Sequence, residues 1–100
     1  MPALVVPADA EIRMYERGYE WVVAIVRAGG TAVIPKSDQA ATRTTGAAVV
    51  NFAPGLCWPD AQGEVMLATL LGMDATTVFL VFTNIRDALA CRERLRKERS

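Results

Sequence analysis

The stretch that most constrains the fold lies near the C-terminus. Thr77-Val78-Phe79-Leu80-Val81-Phe82-Thr83 is an unbroken run dominated by β-branched and aromatic residues. In a strand, Val78, Leu80 and Phe82 share one face, and Phe79 and Val81 share the other. Both faces are apolar, so the run suits a strand covered on both sides. A buried helix is the rival reading. The run is too short for one and too rich in strand formers.

Thr83-Asn84 closes the run and opens a helix. Asn84 is a good N-cap, and Asp87 sets a carboxylate near the positive helix N-terminus. Helical residues continue to about Lys97. At roughly 100° per residue, Ile85 and Leu89 form one stripe, with Ala88 beside it. Arg92, Arg96 and Arg99 continue that stripe, while Cys91 and Leu95 lie on the Ala88 side. A face that is apolar in the first two turns thus becomes an arginine row in the last two.

Two readings of the row compete. In one, the helix outruns the body and the arginine stems lie over its edge with their heads in water. Glu93–Lys97 and Arg94–Glu98 then add i,i+4 ion pairs. In the other, Arg92, Arg96 and Arg99 dock on carboxylates of another subunit or partner protein, or on phosphates, because arginine suits planar bidentate pairing. An acidic protein surface is the favoured partner.

The chain of 100 residues reads as a single α+β domain, residues 1–100, with 52% hydrophobic and 22% charged residues. That balance is globular rather than disordered. No apolar run approaches the ~20 residues that span a bilayer. The opening MPALVVPADAE lacks the charged start and long apolar centre of a signal peptide, so a cytoplasmic location is expected. Cys57 and Cys91 belong to no paired motif and are expected to be reduced and partly buried.

The net charge of +0 is unevenly spread. Residues 92–100 hold five basic and two acidic residues, a net of +3. The other 91 residues hold six basic and nine acidic ones, a net of −3. An acidic body with a basic tail is compatible with self-association. It offers no broad basic surface for nucleic acid, which is an unlikely partner.

In chain order, Ala3 to Val6 is a short strand candidate ended by Pro7. Asp9 to Arg17 is expected as a brief helix stopped by Gly18, although Ile12 and Met14 alternate with Arg13 and Tyr15 as a strand would. Tyr19 to Arg27 is a strand. Ala28-Gly29-Gly30 is a turn, and Thr31 to Ile34 returns as its hairpin partner. Lys36 to Gly46 reads as loop and Ala47 to Phe52 as a third strand. Asp60 caps a helix over Ala61 to Leu71 with Gly72 at its end; Val65, Met66, Thr69 and Leu70 are its expected inner face. The elements assemble into one antiparallel or mixed sheet of four or five strands with two main helices on it, ending in a strand and a C-terminal helix.

Most catalytic chemistry lacks its residues. There is no histidine, hence no usual general base or metal ligand. No P-loop, dinucleotide fingerprint or G-x-S-x-G elbow occurs, and the serines are only Ser37 and Ser100. Cys57 precedes a helix but has no histidine partner. Asp60 and Glu64 suit capping rather than acid–base work. No catalytic, metal or cofactor residue is expected.

Trp58, in Gly-Leu-Cys-Trp-Pro, either plugs the end of the core or stands out as an interface anchor. The functional expectation is a small non-enzymatic interaction protein: an adaptor, a regulatory subunit or an inhibitor, such as mobile elements encode, with a homodimer as one form. Arg92, Arg96, Arg99 and Trp58 are the interaction candidates. A small-molecule binder or minor enzyme using Arg13, Tyr15, Tyr19 and Arg27 is the first alternative, and nucleic-acid association through the basic tail the second.

Overall fold

The computed structural model describes residue 4 and residues 6–30, 47–72 and 76–98. Four strands and two helices follow in the order β1 (Glu11–Arg17), β2 (Glu20–Val26), β3 (Ala47–Asn51), α1 (Ala61–Gly72), β4 (Thr77–Phe82) and α2 (Ile85–Glu98). The sheet order is β1-β2-β4-β3. β2 pairs antiparallel with β1 and β4, while β3 runs parallel to β4. The result is a small α+β domain with a mixed sheet, a terminal strand and a C-terminal helix. Among the described residues, no helix is long and apolar enough to cross a membrane.

The apolar run that dominates the sequence is the inner strand β4, and all six of its residues are buried. Its register with β2 sets Trp21 opposite Phe82, Val23 opposite Leu80 and Ile25 opposite Val78. Those pairs share one face with Ile12, Met14, Ala48 and Val50. Leu67 and Leu71 of α1 and Ala88, Cys91 and Leu95 of α2 complete the same core. Both helices therefore cover one side of the sheet. Val22, Ala24, Val26, Phe79 and Val81 form a second buried cluster on the other side.

Residues 11–17 are a strand and not a helix. The alternation of Ile12 and Met14 with Arg13 and Tyr15 is the signal that holds. Gly18 is a hairpin turn residue rather than a helix stop. Its φ of 58° takes the first position of a two-residue Gly18-Tyr19 turn, where the favoured hairpin geometry places glycine. Arg17 and Glu20 close the turn with an ion pair at 2.7 Å. The expected hairpin between Tyr19–Arg27 and Thr31–Ile34 is not formed on β2, because β1 takes one edge of that strand and β4 the other. The turn after β2 is present, with Gly30 N–H donating to the Arg27 carbonyl at 2.8 Å; residues 31–34 lie outside the described residues.

Both helix starts follow the expected caps. Asp60 Oδ1 accepts the Gly63 N–H at 2.8 Å. Asn84 Oδ1 accepts the Asp87 N–H at 2.9 Å, and Asn84 Nδ2 donates back to Asp87 Oδ2 at 2.8 Å. Arg27 donates from Nη1 to the Leu71 carbonyl at 2.7 Å, satisfying a free acceptor at the end of α1.

The rotation of both helices differs from expectation. α1 buries Leu67 and Leu71 and packs the expected Leu70 against the core, whereas its Val65, Met66 and Thr69 face water. α2 buries Ala88, Cys91 and Leu95, which leaves Ile85 and Leu89 exposed. Ala88 and Cys91 are small, so the helix backbone lies close over the sheet on that side, and Leu95 fills the space one turn further on.

Candidate interaction surface

The chain between β3 and α1 holds Trp58. After Asn51 the strand ends at Phe52, whose ring stacks on Phe82 with centroids 4.6 Å apart. A turn at Pro54-Gly55 then brings the chain alongside α2. Gly55 N–H donates to Asp87 Oδ2 at 2.9 Å. Three residues on, the Arg94 guanidinium lies over the Trp58 ring, 4.1 Å from its centroid, a cation–π arrangement. Trp58 Nε1 donates to Glu64 Oε2 at 3.4 Å, and Glu64 Oε1 accepts the Leu4 N–H at 3.0 Å. Glu64 thus ties the start of the chain and the Trp58 loop to the first turn of α1.

Trp58 stands at the edge of the core. It is half-buried and packs on the main core. It also forms one wall of an apolar hollow of about 390 Å³, lined chiefly by Val50, Phe52, Leu56, Trp58, Met66 and Leu67. Around this hollow, Leu56 is 53% exposed, Val65 49% and Met66 48%.

The outer face of α1 continues this patch. Ala61, Gln62, Val65, Met66 and Thr69 are all exposed and all uncharged. The only charge in the twelve residues of α1 is Glu64, which is half-buried and already bonded. A surface helix ordinarily turns charged residues to water. This face instead is uncharged, and Met66 joins it to the hollow that Leu56 also lines.

The arginine row lies elsewhere. Arg92 is half-buried, and its Nε is buried with no hydrogen-bond partner among the described residues. Arg96 is exposed and borders a shallow recess beside Glu11, Ile12 and Arg13 of β1. Arg99 falls outside the described residues. Arg96 lies on the β1 flank of α2 and Trp58 beside Arg94 on another, so these candidates do not converge. The pairs Glu93–Lys97 and Arg94–Glu98 are not among the ion pairs formed by the described residues. Arg94 turns to Trp58 instead.

Of the polar groups suggested for a ligand site, Arg13 and Arg27 line one recess of about 230 Å³ together with Asp9 and Glu11. Both are already engaged, Arg27 with the end of α1 and Arg13 with Glu11 at 2.6 Å, and Tyr19 stands apart at the tip of the hairpin. Sequence reasoning missed Arg94 and the outer face of α1. The signal for the second was present: a twelve-residue helix with a single charge has no polar face to turn outward.

Comparison with protein families, with curated proteins and with solved structures found no match.

Proposed function

We propose that this chain is a small non-enzymatic interaction module, cytoplasmic in location, that serves a larger assembly as an adaptor, regulatory subunit or inhibitor. It docks through the outer face of α1 and the hollow beside Trp58. The partner is a protein that presents a large apolar side chain to the hollow and an uncharged surface to α1. The observation that carries this reading is the charge-free, exposed face formed by Leu56, Val65 and Met66. Contiguous exposed apolar patches mark association sites, and a half-buried tryptophan at the rim of a pocket is a preferred anchor type.

The deciding experiment is affinity purification of the tagged chain from its host after nuclease treatment, beside two variants. One is Val65→Glu/Met66→Glu and the other Arg92→Ala/Arg96→Ala. A stoichiometric partner retained by the arginine variant and lost by the α1 variant supports the reading. Loss with the arginine variant alone would move the interface to the β1 flank of α2 and favour an acidic partner. A clean monomer in every sample would overturn the proposal. The volume of the hollow, at the low end of small-molecule sites, favours a bound apolar metabolite as the second reading, and a ligand-induced rise in Tm would reveal it.

A further inference from the structure

We propose that Cys57 and Cys91 are a dithiol pair that closes to an intramolecular disulfide when the protein meets a low-molecular-weight disulfide. The bond would staple the Trp58 loop to α2.

The argument starts from register. The loop is pinned to α2 at two points, Gly55 to Asp87 and Trp58 to Arg94. Residues 55–58 span at most roughly 10 Å. Residues 87–94 of the helix advance roughly 10 Å. The two pins therefore hold the loop along that stretch of the helix. Cys57, two residues past Gly55, comes level with the helix position about one turn past Asp87, which is Cys91. Residues 87, 91 and 94 fall within one narrow strip of the helix surface, since i, i+4 and i+7 share a face. Cys91 thus lies on the same strip as both pins, with its side chain buried in the main core.

The electrostatics agree with this placement. The Cys91 thiol is pushed up to about 12, chiefly by burial and next by the neighbouring Cys57, with Arg94 opposing. Cys57 is half-buried and Cys91 fully buried; both are free thiols. This asymmetry assigns their roles.

Cys57, the accessible thiol, enters first. Its thiolate attacks one sulfur of the small disulfide R–S–S–R, forms a mixed disulfide and releases R–S⁻, which takes up a proton. Cys91 then loses its proton and attacks the Cys57 sulfur, expelling the second R–S⁻. The net change is two protein thiols oxidised to one disulfide and one R–S–S–R reduced to two R–SH. Leu56 and Trp58 flank Cys57 and wall the hollow, so the bond would hold both at fixed distance from α2. Intracellular disulfides of this kind are typically transient and redox-sensing.

The test treats the reduced full-length chain with oxidised glutathione under native conditions and reads intact mass, thiol content and Tm. The expected product is a monomer lighter by two hydrogens, with no free thiol. Its Tm should be raised by on the order of 10 °C, because a disulfide closing a loop of this length constrains the unfolded chain. Cys91→Ala should stop at the mixed disulfide, and Cys57→Ser should remain unmodified because Cys91 is buried. Three results in the wild type would each overturn the proposal: a stable glutathione adduct, a disulfide-linked dimer, or retention of both thiols. A disulfide that lowers Tm would do so too, since the native fold would not then accommodate the bond. None of these readouts depends on a docking partner.

Discussion

Glu64 accepts donors from two distant parts of the chain, the Leu4 amide and the Trp58 indole. Its removal would leave both part-buried donors unpaired. Glu64→Ala should therefore cost about 1–3 kcal/mol in urea unfolding, and Trp58 emission should become more sensitive to acrylamide. Gly63, one position earlier, tests packing rather than hydrogen bonding. Replacing a helical glycine by alanine ordinarily stabilises by about 1 kcal/mol. A Cβ at Gly63 would stand 2.8 Å from Pro59 Cβ and 3.2 Å from the capping Asp60 Oδ1. The proline ring has no rotamer by which to withdraw, so Gly63→Ala is expected to lower Tm. Cys91 makes a pH prediction. Its folded thiol is raised from 9.0 to about 12, so the unfolded chain ionises first as pH rises. The stability from the neutral buried thiol is complete below pH 9 and is lost progressively between pH 9 and 12. The loss is on the order of 4 kcal/mol at most. Cys91→Ala should flatten this part of a Tm-versus-pH curve, and an unchanged slope would refute the assignment.

At the scale of elements, the sequence is most legible where one signal acts alone. β4 is readable because both faces of the run are apolar, and α2 begins where Asn84 can cap it. Asn84→Ala should accordingly cost about 1 kcal/mol, measured by thermal melting. β1 was harder, since Asp9, Asp-to-Gly spacing and a mixed polar pattern admit a helix. Pairing along all seven residues with β2 decides for the strand, a long-range contact that local pattern does not contain. The helix rotations were unreadable for a different reason. α1 has apolar residues around most of its circumference, so no polar side sets its phase. In α2 the small Ala88 and Cys91 allow closer approach to the sheet than Ile85 and Leu89 would. Hydrophobic size therefore points to one stripe and packing distance selects another. The consequence for the candidate site was direct. Trp58 was visible as a residue type, but its partners Arg94 and Glu64, and the exposed apolar face beside it, depend on those rotations.

At the scale of the molecule, two candidate surfaces lie apart. Arg96 of α2 borders β1 on one flank, and the uncharged face of α1 lies across the Trp58 loop on the other, where Arg94 is the α2 cation that covers Trp58. These two surfaces predict opposite responses to salt. An arginine row meeting carboxylates or phosphates would lose affinity as salt rises, because exposed charges are screened within about 8 Å at physiological ionic strength. An apolar dock on Leu56, Val65 and Met66 gains or holds affinity under the same change. Mutation separates them further. Val65 and Met66 are about half exposed, so Val65→Glu/Met66→Glu should change folding stability by no more than about 0.5 kcal/mol per site. Leu67, buried between them and the sheet, serves as the contrast: Leu67→Ala should cost about 2–5 kcal/mol. The docking assignment thus requires a double dissociation. The glutamate pair must lose association, whether with another protein or with a second copy, while keeping wild-type Tm, and sedimentation together with partner capture would measure both quantities. A glutamate pair that keeps association in 0.5 M salt, or loses it only through unfolding, would return the exposed face of α1 to an ordinary solvent surface.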